Sequence, residues 1–167
     1  MEREQGTGPL DLSGKYLTFT LANEHYGIRI TKIKEIIGIM PITFVPQTPA
    51  HVKGVINLRG KVIPVVDLRL AFGLAQKDYV ERTCIIVVEV ANDEGGVLRI
   101  GIVVDTVSEV MNLRAEDIEQ APAFGGGVKT EYILGMAKSS DGVKILLDID
   151  RVLTKDASEN LLQQMAA

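Results

Sequence analysis

YGIRITKIKEII (residues 26 to 37), set over IGIVVDTVSEVM (100 to 111) at a constant offset of 74, pairs Gly27 with Gly101, Ile28 with Ile102, Ile33 with Val107 and Glu35 with Glu109. A second ungapped block agrees. GVINLRGKVIPVVDLRLAF (54 to 72) lies over GMAKSSDGVKILLDIDRVL (135 to 153) at an offset of 81, matching Gly54 with Gly135, Asp67 with Asp148 and Phe72 with Leu153. Upstream, LTFTLAN (17 to 23) answers IIVVEVAN (85 to 92), both of them apolar runs that end in Asn. The chain is therefore an internal duplication of a strand-rich unit, and self-similarity at this scale decides the architecture before any chemistry is asked about.

Period-two apolar alternation, β-branched content and Gly-bearing turns make the repeated unit β. KYLTFTLANEHYGIRI predicts a hairpin with Leu17, Phe19, Leu21, Ile28 and Ile30 on one face. ITKIKEII has apolar spacing that also suits a helix, but its β-branched residues and Gly38 favour a strand after an irregular turn. GVINLRGKVIPVVDL predicts a second hairpin reversing at Leu58-Arg59-Gly60-Lys61, with Gly60 able to take a positive φ. Asp67 then caps a short helix, LRLAFG, closed by Gly73. Many short strands in two copies predict an all-β fold of two five-stranded β-barrel subdomains, because closure removes exposed strand edges. The expected layout is a flexible lead-in over 1–14, a first barrel over about 15–75 and a second over about 83–155. A C-terminal helix over about 156–166, with Asp156 as its cap and Leu161, Leu162 and Met165 as its apolar stripe, is expected to pack across.

Composition narrows the function classes. The 167 residues are 46% apolar, enough for a packed interior, and the formal charge of −4 argues against an extended grip on nucleic acid or anionic lipid. The single cysteine, Cys84, lies in the apolar run TCIIVVEV and reads as a buried small hydrophobe. No apolar stretch is long enough to span a bilayer and the first residues lack a signal-peptide core, which together predict a cytoplasmic protein. His25 and His51 have no Cys, Asp or Glu at ligand spacing, so neither a metal nor another cofactor is expected. The serines sit in no nucleophile turn and the glycine runs lack the lysine of a phosphate loop. Glu35 and Glu109 occupy equivalent places in different halves, so one structural role played twice explains them better than an acid/base pair.

With no reaction apparent, function is expected on a surface. Arg59 stands at a turn where the second copy has Ser139-Ser140-Asp141-Gly142, so the duplication did not keep the cation. Phe124, followed by three glycines, is an aromatic with little to cover it. Ile33 and Val107 recur at one repeat position and read either as plain core between the halves, which is slightly favoured, or as the walls of a half-filled seam where an amphipathic helix could lie. A barrel binding a small ligand or oligosaccharide is the rival reading, disfavoured by 5% aromatics and no Trp.

YGIRITKIKEIIG, then VPQTPAHVKGVINLRGKVIPVVDLR, and later GIVVDTVSEV and TEYILG, resemble the CheW family of chemotaxis coupling proteins over residues 15 to 155. The resemblance implies two five-stranded barrels without enzymatic activity, bridging methyl-accepting chemoreceptors and the regulatory domain of the histidine kinase CheA in membrane-associated receptor arrays. It further implies that Ile33, Glu35, Gly54, Asn57, Arg59, Val104 and Val107 form a receptor-facing groove and its rim, and that Phe124 meets the kinase. The added EGGV turn and the triple glycine depart from the family pattern.

Overall fold

The structure is a computed structural model and describes residues 11–91, 95–122, 130–140 and 142–154. The expected C-terminal helix over 156–166, Phe124 and most of the lead-in lie outside these residues. The first copy supplies β1 (Gly14–Leu21), β2 (Glu24–Arg29), β3 (Ile33–Gly38), β4 (Val52–Leu58), β5 (Lys61–Asp67) and the short helix α1 (Leu68–Ala71). The second supplies β6 (Cys84–Ala91), β7 (Val97–Val104), β8 (Thr106–Leu113), β9 (Ile118–Glu119), β10 (Ile133–Ser139), β11 (Gly142–Leu147) and α2 (Ile149–Thr154). The ambiguous run resolves as expected, with a 3-10 turn over Ile30–Lys32 leading into β3.

The copies do not fold side by side. One sheet has the order β8-β1-β2-β11-β10-β9 and the other β3-β6-β7-β5-β4. Exchanging β1 with β6, β2 with β7, β3 with β8, β4 with β10 and β5 with β11 turns the first order, without its extra strand β9, into the second. The expected layout, one barrel over 15–75 and another over 83–155, is thereby corrected: each copy lends its N-terminal hairpin to the sheet built by the other. Registers repeat as well. Val65 faces Gly101 in the parallel β5–β7 pair, and Leu146 faces Gly27 in the parallel β11–β2 pair. β6 is central in its sheet, and it reads as an unbroken apolar run over residues 84–88 because it is buried on both faces there.

Those two faces serve different cores. Ile85 and Val87 join Ile56, Ile63, Val65 and Val103 inside the β3-to-β4 sheet, with Ile37 packed against them. Residues from every strand meet in that one cluster, edge strands included, so the sheet is rolled around its own interior. A smaller cluster of Tyr16, Leu113, Ala137 and Leu146 fills the other roll. Ile86, Val88 and Val90 instead face a third core between the sheets, against Leu17, Phe19, Leu21 and Ile28. At a few kcal/mol for each fully buried large apolar side chain, this inter-sheet core locks the two rolls together.

An extra strand-like segment recurs beyond each rolled edge. Thr43 makes a two-way backbone bridge with Val55 on β4, at 2.8 and 2.9 Å. At the equivalent place β9 pairs Glu119 with Met136 on β10. The link between the copies is fastened too. The Tyr79 hydroxyl donates to Oδ2 of buried Asp67 at 2.7 Å, while Oδ1 accepts from the Leu70 N–H at 3.3 Å and so caps α1.

Burial, together with the Asp67 carboxylate, pushes the Tyr79 phenol well above its ordinary value, and burial raises Tyr16 and Tyr26 as well. A phenol that ionises later folded than unfolded gives stability in full below the unfolded pKa of about 10 and loses it as pH climbs beyond. Chemical denaturation across the alkaline range is expected to show that decline. Tyr79→Phe removes a donor from a buried carboxylate, so it is expected to cost about 1–2 kcal/mol at neutral pH. It should also make the alkaline decline shallower.

Candidate functional site

The β4–β5 hairpin sets the geometry of the region singled out by sequence. Arg59 and Gly60 both adopt positive φ, 50° and 87°, the pattern of a two-residue type I′ turn that matches strand twist. Non-glycine residues seldom sit there, and Asn57 offsets the cost by accepting a hydrogen bond from the Gly60 N–H at 2.9 Å through its side-chain oxygen. The turn aims the Arg59 guanidinium at β3, where it forms an ion pair and hydrogen bond with the Glu35 carboxylate. Glu35 and Arg59 therefore join the two edges of the rolled sheet, across a gap that no backbone hydrogen bond among the described residues closes. Arg59 is 69% exposed, so the pair fixes shape and adds at most about 1 kcal/mol.

The other sequence-singled residues divide by depth. Ile33 and Val107 are half-buried and packed against the inter-sheet core, Ile33 on β3 and Val107 opposite Phe19 on the β1–β8 pair. Val104 is 1% exposed within that core. Of the two readings of this pair, core between the sheets is the one the packing shows, with Ile33 and Val107 at its edge. Gly54 is buried beside the Thr43 bridge, where it presents backbone only. Direct contact with a partner is thus open to Glu35, Asn57 and Arg59, and in part to Ile33 and Val107. Val104 and Gly54 can act only by holding these in place. Glu109 sits on the other sheet from Glu35, its backbone N–H and carbonyl both bonded to the buried Thr18 hydroxyl at 3.2 and 2.9 Å.

Charged groups that sequence reading passed over encircle the same opening. Lys34 from β3, Lys61 from β5 and Arg99 from β7 line a cleft with Glu35 and Arg59, floored by Leu58, Ile63 and Val87. Glu89 on β6 joins Arg99 at 3.1 Å and Lys34 at 3.9 Å. Each lies near one end of its strand, and the signal that could have found them is that shared end, visible only once strand order is known. No group of three His, Cys, Asp or Glu able to hold a metal occurs among the described residues. Nor is any described helix long and apolar enough to cross a membrane.

The described residues thus form a duplicated all-β scaffold with a charged opening at one end of a rolled sheet. Residues 15–157 match the CheW-like domain model, and the chain belongs to the CheW-like family. It is 42% identical over 142 residues to the chemotaxis protein CheW of Klebsiella aerogenes, covering 85% of this chain and 82% of that one. The chemotaxis protein CheW of Bacillus subtilis is 29% identical over 163 residues, 96% of this chain and 99% of its own. Among solved structures, the scaffolding protein TtCheW of Thermoanaerobacter tengcongensis superposes with a TM-score of 0.74 at 34% identity, covering 85% of this chain and 93% of that one.

Proposed function

We infer that the chain is a non-enzymatic chemotaxis adaptor that couples the cytoplasmic tips of methyl-accepting chemoreceptors to the regulatory domain of the kinase CheA. The observation carrying this reading is the family match across residues 15–157, which takes in strands of both sheets and both copies, so the likeness extends to the whole exchanged scaffold. The receptor side is assigned to Glu35, Asn57 and Arg59 at the mouth of the roll, together with Ile33 and Val107 at the edge of the inter-sheet core; Phe124 is assigned to the kinase side. The protein works in the cytoplasm, recruited to receptor arrays through these two contacts. The small-ligand reading is disfavoured because Ile56, Ile63, Val65, Ile85, Val87 and Val103 already fill the roll where a ligand would sit.

The test is retention of the chain on an immobilised receptor hairpin fragment and, separately, on a CheA regulatory-domain fragment. Both are expected to hold it. Arg59→Ala is expected to weaken the receptor arm at least about tenfold, as removal of a central interface arginine does, while leaving the kinase arm and the denaturation midpoint nearly unchanged. Retention on neither fragment would end the adaptor reading. An unchanged receptor arm with Arg59→Ala would remove that residue from the interface.

A further inference from the structure

The geometry points to a carboxylate socket at the mouth of the β3-to-β4 roll, which receives a glutamate side chain of a partner protein between Lys61 and Arg99; this rests on the adaptor reading and names the chemistry of its contact. Four cations stand at this opening, Lys34, Arg59, Lys61 and Arg99, against two carboxylates, Glu35 and Glu89. Four minus two leaves a local surplus of two positive charges on a chain whose net charge is −4. Arg59 is engaged by Glu35, and Glu89 is shared between Arg99 and Lys34. The Lys61 side chain forms no ion pair among the described residues.

The duplication supplies an internal control. Leu58 and Lys61 close the β4–β5 hairpin as Ser139 and Gly142 close β10–β11, and Glu89 faces Arg99 as Thr20 faces His25. The residues equivalent to Lys34, Arg59, Lys61 and Arg99 are therefore Ser108, Ser140, Gly142 and His25. The same scaffold thus forms without a single Lys or Arg at these positions, so folding does not demand the cations. Cations at these four positions of one sheet, and at none of their equivalents in the other, are therefore assigned to recognition.

The floor selects the ligand. Half-buried Leu58 offers apolar surface beneath the cations, above the covered side chains of Ile63 and Val87, which suits a carboxylate carried on methylenes, as in glutamate. A surplus of two charges holds one or two carboxylates. It does not neutralise a run of phosphates, and the remaining acidic surface repels a long polyanion or an anionic bilayer.

The probe is an N-acetyl hexaglutamate amide, titrated against the full chain while methyl resonances of Leu58, Ile63 and Val87 are followed. Saturable shifts are expected at these methyls, weakening about tenfold between roughly 50 and 500 mM salt as charges at an open mouth are screened. The double variant Lys61→Gln/Arg99→Gln is expected to lose binding at least about tenfold, whereas Lys138→Gln, in the other sheet, leaves it unchanged. No shift at the three methyls, equal shifts with a hexalysine peptide, or undiminished binding by the double variant would each overturn the socket. Tighter binding to phosphatidylglycerol vesicles than to the peptide would overturn it in favour of a lipid site. The two readings fail separately: loss of the socket leaves retention on receptor and kinase fragments intact, whereas failure of that retention leaves the peptide titration standing.

Discussion

Gly54→Ala is expected to be among the most damaging single substitutions in the chain. A β-carbon at position 54 would lie 1.9 Å from the Thr43 carbonyl oxygen and 2.7 Å from its carbon, which are backbone atoms that cannot turn aside. The φ of +141° adds a conformation that L side chains avoid. Strain of about 1–3 kcal/mol from the backbone and a similar amount from overpacking predict a loss of about 3 kcal/mol or more. Relief could come only by breaking the Thr43–Val55 bridge and freeing the segment that runs along β4. Urea denaturation checks this directly. Gly60→Ala, a glycine with open space around it and φ of +87°, should cost far less; equal losses at the two positions would show that steric closeness to Thr43 is not the cause.

The second large effect is expected at Asp105→Ala. Asp105 accepts the Ala22 N–H at 2.8 Å and the Arg69 Nε–H at 3.1 Å, and its side chain and that of Arg69 are 14% and 15% exposed. Truncation leaves a nearly buried guanidinium without its anion and a backbone donor without an acceptor, which is expected to cost about 2–4 kcal/mol. The duplication again offers a comparison. At the equivalent site Ala91 donates to Asp150 at 3.0 Å, and Asp150 pairs with Lys32 at 2.7 Å, so acid and base have exchanged elements while the alanine N–H keeps its carboxylate. That pair is about twice as exposed, at 29% and 32%, and Asp150→Ala is expected to cost about 1 kcal/mol. A smaller loss at Asp105 than at Asp150 would contradict the ranking by burial.

How far the amino-acid order discloses this molecule depends on which physical signal is asked. Strands, turns and the Asp67 cap come from local chemistry, and the repeat alignment carries over to matching registers such as Val65 with Gly101 and Leu146 with Gly27. The exchange of hairpins was not legible, since alternation along β1 or β6 says which face is apolar and nothing about which copy covers it. The uninterrupted apolar run of β6 was the one hint, because burial on both faces requires a central place in its sheet. Within the site, Arg59 stood out by its asymmetry between copies. Lys34, Lys61 and Arg99 did not, because they lie on three strands and come together only through the order β3-β6-β7-β5-β4. The family resemblance places Val104 and Gly54 in a groove, yet burial of one and the close approach of Thr43 to the other make them supports.

Lending each hairpin across the duplication has a consequence for synthesis on the ribosome. When β5 leaves the exit tunnel, β3 has no neighbour, because its pairing strand β6 has not yet emerged, and β5 lacks its parallel partner β7. The first hairpin waits longer still, until β8 and β11 arrive to flank it. Pairings of such long sequence separation slow folding and keep unpaired strand edges exposed in the nascent chain. Neither half can therefore mature while the other is being translated, and the protein reaches its stable form in one late, cooperative step.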